Sequence, residues 1–151
     1  VTPRSRTNQL LYQAELLLDS PRVDDEHEES RRMAAEEGAL ALGELALESL
    51  LREVTEHALL ERHDWRELLG QGTGIAELQR LRELASRPDT WMAWLLDRLE
   101  ALHGTEGVAR RTAASGLITS GSGAPFADQL RWCLGEAKRE AAALRETSEE
   151  W

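Results

Sequence analysis

Lysine is nearly missing from this chain. Of eighteen basic residues only Lys138 is a lysine, leaving seventeen arginines; GC-rich codon usage is the simplest account, and use of guanidinium forks is the alternative. Cysteine is equally scarce: Cys133 is alone, so no internal disulfide can form, a pattern that fits a reducing compartment. β-branched apolar residues are few and no alternating strand pattern appears, which excludes a sheet as the organising element. No apolar run approaches the roughly eighteen residues of a membrane span. The early run Leu10 to Leu18 is broken by Gln13 and Glu15 and has no small-residue cleavage site, so no secretory leader is read there and the expected home is the cytoplasm. The chain also lacks a Ser-His-Asp set, a glycine-rich phosphate loop and Cys/His metal spacing. Its net charge of −10 makes nucleic acid an unlikely partner and argues against a broad phosphate-binding surface, though a local basic groove stays open.

What is present is helical periodicity. With 151 residues and 41% hydrophobic content, the chain reads as one domain that can bury about two thirds of its unfolded surface. Thr2-Pro3 starts a first helix that runs to about Asp19. Ser20-Pro21 stops it, and a long second helix starts within "RVDDEHEES" and continues to about Glu61. From Ala39 to Leu60 that helix is apolar over most of its circumference, which makes it the central helix of a bundle. Ala35, Ala39 and Gly43 form a small-residue stripe for close approach of a neighbour. The recurring Glu37, Glu44 and Glu48 read as its solvated strip. A helical turn at "DWRELL" ends at Gly70, Thr73 caps "GIAELQRLRELAS", and Pro88 separates that helix from the tryptophan helix, which stops at Gly104. Residues 105–124 read as a flexible connection with a helical turn near "VARRTAA". Pro125 opens the last helix, whose core face holds Phe126, Leu130, Cys133, Leu134, Ala137, Ala141 and Leu144. The expectation is an all-α, up-and-down bundle of about five helices over residues 1–151.

One arginine is out of place in that pattern. Counting 100° per residue from Trp91, Arg98 falls at about 340°, inside the apolar stripe of its helix. It precedes His103 by five residues, a spacing that resembles the catalytic Arg-His pair of HEPN-type ribonucleases. The residue after Arg98 is Leu99, where that family typically carries a polar side chain. Arg52–His57 and Arg22–His27 share the spacing, and three pairs cannot all be active sites. Glu100 and His103 have the Glu-x-x-His spacing of di-metal bundles, but only one copy exists, so no metal or cofactor is expected. His57, on the apolar face of the second helix, is expected to join Glu53 and Arg98 in a buried polar cluster, since each would be costly unpaired. The alternative places Arg98 over Trp94 or Trp91.

Five tryptophans against one Phe and one Tyr are weighted toward contact surfaces. Trp132 lies opposite the core stripe of its helix, and Trp132, Trp151 and Trp94 are the candidate interface residues. Arg6, Asn8 and Gln9 form a possible recognition patch. The opening "SRTNQLLYQAELLL", with Arg6, Thr7, Asn8, Gln9, Leu11 and Tyr12, resembles a bacterial domain family of unknown function. A "PDTW" helix start (Pro88 to Trp91) and a tryptophan-ended terminal helix strengthen the likeness. That resemblance implies a small soluble helical protein and assigns no activity. The sequence therefore points to a non-enzymatic interaction or regulatory module that self-associates as a homo-oligomer. The alternative is a dimeric HEPN-like endoribonuclease using Arg98 and His103.

Overall fold

Thr2 accepts the Ser5 amide N–H at 3.1 Å while its own N–H donates to the Ser5 hydroxyl at 3.0 Å, and Pro3 fits the first helical position. This capping box starts α1 (Pro3–Leu18). The computed structural model describes residues 1–70, 74–108 and 124–149. Among them follow α2 (Glu28–Val54), a 3-10 turn (Glu56–Ala58), α3 (Trp65–Gly70), α4 (Ala76–Ser86), α5 (Trp91–Leu102) and α6 (Phe126–Glu149), with no strand. The protein is all-α.

Side-chain pairs fix the directions of the four longest-packed helices. Thr7 bonds Ser49 while Leu17 lies against Gly38, so α1 and α2 are antiparallel. Trp91 meets Cys133 and Trp94 meets Gln129, which makes α5 antiparallel to α6. Glu53 pairs with Arg145 and Gly43 faces Leu134, so α6 runs parallel to α2. Thus α1 and α5 point one way and α2 and α6 the other, with α3 and α4 inserted between α2 and α5. α2 touches every other helix.

The core is aliphatic. Leu10, Leu40, Leu51, Met92, Leu99 and Leu130 are fully buried, each worth about 1.5–3 kcal/mol relative to exposure. All seven residues of the α6 core face are buried. Thr7 and Ser49 are buried too, but their hydroxyls are satisfied: Ser49 donates to the Pro3 carbonyl at 3.0 Å and lies 2.8 Å from the Thr7 oxygen.

Several boundaries differ from the sequence expectation. α2 ends at Val54, not near Glu61. The Thr55 hydroxyl bonds back to the Leu51 carbonyl at 2.6 Å, and Leu59 takes a left-handed conformation at φ 50°, a region disfavoured for a non-glycine residue. Leu59 is 89% exposed. α4 begins at Ala76 after Ile75, without a side-chain cap; Thr73 lies outside the described residues. So does most of the expected connection at 105–124, including all of "VARRTAA" except Val108, which is buried.

The small-residue stripe is buried as expected, but the tight glycine is Gly38, where a Cβ would come within 2.9 Å of Leu17 Cδ2. At Gly43 the nearest atom, on Leu134, is 4.0 Å away, and Gly43 lines a small apolar cavity of about 20 Å³. Gly43→Ala is therefore expected to fill empty space and to remove the helix penalty of glycine, stabilising the fold by about 0.5–1 kcal/mol. Urea unfolding checks this; a loss of stability would show that the close approach at Gly43 is needed.

Candidate functional site

Arg98 lies on tryptophan. Its guanidinium carbon is 5.4 Å from the centre of the Trp94 ring, Asp97 Oδ2 is 3.8 Å away, and only 13% of the side chain is exposed. Trp94 is held in turn: its indole N–H donates to Gln129 Oε1 at 2.9 Å, and its ring meets Phe126 at 5.7 Å. Trp94 is thus a bracket between α5 and α6, not an open interface residue. His103, the C-cap of α5, points elsewhere, because five residues at 100° each place it about 140° around from Arg98. Within one chain the Arg-His pair does not converge.

The acidic strip of α2 is where the structure concentrates polar chemistry. Glu44 is only 15% exposed at its side chain. Its Oε2 accepts the Trp65 indole N–H at 2.9 Å, and His103 Nε2 lies 2.8 and 3.0 Å from its two oxygens. One carboxylate thereby ties α3 and the end of α5 to α2. Glu37 accepts the Val108 amide at 3.3 Å. The strip read as solvated is instead a docking seam, because α3 and the α5 terminus fold over it. Arg66 continues the seam, stacking over Trp65 at 4.3 Å and reaching Glu100 at 3.4 Å. Glu100 and His103 hence serve different partners.

Further along α2, Arg52 Nε donates to His63 Nδ1 at 3.4 Å, an arrangement that requires neutral histidine. Burial and the Arg52 charge together hold His63 below its ordinary pKa. Glu48 is pushed the other way: burial raises its carboxyl, helped by Glu44 and Asp64 and opposed by Arg52 and Arg66.

The expected Glu53–His57–Arg98 cluster is not formed. Early termination of α2 moves His57 into the 3-10 turn, where it is exposed. Glu53 pairs with Arg145 of α6 through two bonds, at 2.8 and 3.0 Å, both side chains being largely buried. Arg145 sits beside Leu144 at the edge of the α6 core face, and that edge position is the only sequence signal that could have found it. A second inter-helix fork joins Arg80 of α4 to the buried Glu140 of α6. Arg6, Asn8 and Gln9 are exposed, with Arg6 bonded to Gln9 at 2.6 Å; Thr7, between them, faces inward. Trp132 is 45% exposed, the only exposed tryptophan among the described residues, and Trp151 lies outside those residues. Among the described residues no three His, Cys, Asp or Glu side chains are placed to hold a metal ion. Burial pushes the Cys133 thiol far above its ordinary range, so it is a packing residue.

The described residues thus form an all-helical fold in which several largely buried carboxylates bridge helices. A family model covers residues 1–151 in full, and the chain belongs to that family, a family of unknown function (DUF6586). No curated protein and no solved structure matches it.

Two outcomes follow from the seam. Glu53→Gln should cost about 2–3 kcal/mol by leaving Arg145 charged and unpaired, whereas Glu53→Leu with Arg145→Met should fall within about 1 kcal/mol of the parent. A double-mutant cycle in urea measures both. Because the folded pKa of Glu48 is raised, folding is favoured below its ordinary value of 4.5 and that advantage is lost as pH rises through the folded value. Glu48→Gln should therefore be more stable than the parent at pH 7, with the gain vanishing below pH 4.5. Thermal melts across pH 4 to 8 check the sign.

Proposed function

We propose that this protein is a non-enzymatic interaction module of the cytoplasm that self-associates through the outward face of α6, anchored by Trp132. The observation that carries the reading is the exposure of Trp132 on a helix whose opposite face is fully engaged in the core. Tryptophan is enriched where interfaces bury area. A tryptophan ring buries only about 150–250 Å², far below the roughly 800 Å² per partner of a stable interface. Its surroundings on α6 must contribute: Arg139 is exposed and Gly135 has open space where a Cβ would stand, which allows a partner backbone to approach. Among the described residues no helix is long and apolar enough to cross a membrane, which is compatible with this reading.

The dimeric ribonuclease alternative needs an arginine presented in an open cleft beside a histidine. Arg98 lying against Trp94 and His103 held by Glu44 do not favour it.

Sedimentation velocity tests the proposal. The parent chain should sediment as a multiple of 16.9 kDa, and Trp132→Ala should shift it toward monomer with an unchanged helical circular dichroism spectrum. A parent that stays monomeric at its highest soluble concentration, or an oligomer indifferent to the substitution, overturns it.

A further inference from the structure

At the end of the bundle opposite the Glu53–Arg145 fork, an open groove of about 400 Å³ lies between the α1–α2 connection, α2 and the start of α6. A volume of that order suits a small ligand. Its charged lining is balanced: Arg22, Arg32 and Arg131 against Asp19, Glu36 and Asp128.

These six groups are not equally committed. Arg131 is spent on the fold, donating to the Leu18 carbonyl at 3.0 Å and pairing with Asp128 at 2.9 Å and Asp19 at 3.3 Å. Arg32 uses only Nη2, toward Glu28 at 3.2 Å and the Ser20 carbonyl at 3.5 Å, and its Nε is buried with no acceptor. Arg22 and Glu36 have no hydrogen bond or ion pair among the described residues, although Arg22 and Arg32 both act electrostatically on Glu36. Partial burial of Glu36 raises its carboxyl, so this carboxylate is desolvated without receiving a hydrogen bond. What remains uncommitted is one cationic group at Arg22, with Nη1 of Arg32 beside its Glu28-bonded Nη2, and one anionic group at Glu36.

That pattern selects by charge. A phosphate placed here would meet three carboxylates, and a simple cation would meet three guanidiniums. A molecule with a carboxylate at one end and an ammonium at the other compensates both sides. Guanidinium forks suit a planar carboxylate, and a carboxylate offers acceptors to all three ammonium donors.

We propose that this groove binds a free α-amino acid, its carboxylate on Arg22 and Arg32 and its ammonium on Glu36. Of the charged groove residues only Asp128 and Arg131 lie on the helix that carries Trp132; the proposed ligand contacts, Arg22, Arg32 and Glu36, lie off α6, so Arg22→Gln and Glu36→Gln test this reading without touching the Trp132 face.

Isothermal titration of the full chain with each of the twenty L-α-amino acids tests the assignment, with propionate, propylamine and inorganic phosphate as single-charge controls. At least one amino acid should give saturable binding, with the controls weaker by about tenfold or more. Arg22→Gln, at an exposed residue that makes no bond within the fold, and Glu36→Gln should each weaken binding by about tenfold with an unchanged circular dichroism spectrum. The proposal is overturned if no amino acid binds saturably, or if both variants bind like the parent. Phosphate binding that Glu36→Gln strengthens would also overturn it, since that identifies a plain anion site.

Discussion

A helix enclosed by neighbours on nearly every side must still do something with its glutamates, and that constraint organises this protein. α2 packs against all five other helices yet carries Glu37, Glu44, Glu48 and Glu53 along its length. Placing ionised carboxylates in a partly covered position costs several kcal/mol unless donors meet them. The donors arrive from elsewhere in the chain: the Val108 amide, the Trp65 indole with His103, and the Arg145 guanidinium. These donors come from α3, from the end of α5 and the chain just beyond it, and from α6. The carboxylates thus set register, while the leucines and alanines between them supply most of the burial. Glu48 is the exception that supports the rule, because its raised carboxyl marks where covering has outrun compensation.

The same reasoning explains how the α3–α4 insertion is held. α3 has six residues, too few to be stable alone, and it buries only Trp65 and Leu68. The Trp65–Glu44 bond aims it at α2, and the Arg82 side chain of α4 reaches its Leu69 carbonyl at 3.1 Å. α4 is secured to α6 by the Arg80–Glu140 fork. The insertion therefore joins a buried apolar contact, made by Trp65, Leu68, Leu78 and Leu81, to a few directional bonds. The exposed, left-handed Leu59 lies just before it, in the stretch where the chain leaves α2.

How much of this could be read in the sequence follows from which interactions are local. α5 and α6 are legible because their apolar residues recur at helical spacing, and the cap at Thr2 is formed by residues within three positions. The end of α2 was not legible. No glycine or proline marks it, and the stop is made by the Thr55 hydroxyl and by Leu59 adopting a conformation that residue type seldom takes. With α2 ending at Val54, His57 lies in the 3-10 turn outside the core, and the Glu53–His57–Arg98 cluster does not form. Helical spacing offers Glu53 a partner four residues away, His57, whereas its partner in the structure, Arg145, is 92 residues distant. The placement of Arg98 shows the converse: its misfit with the stripe is visible in the sequence, and Trp94, one turn earlier on the same helix, is a local partner.

The arginine bias takes on a structural meaning in this light. Whatever supplied the arginines, the fold uses the shape of the guanidinium: two-point forks at Arg145 and Arg80, and carbonyl-directed bonds from Arg82 and Arg131. A lysine ammonium could supply charge at these positions but not two parallel donors in one plane. The only lysine, Lys138, makes a single-point pair with Glu15 between α6 and α1. Because the forks cancel carboxylates where helices meet, the surplus of −10 resides mainly on residues outside those junctions. The molecule is then a neutralised framework inside a negative surface. On such a surface, a cationic group that remains uncommitted stands out chemically, and Arg22 is one.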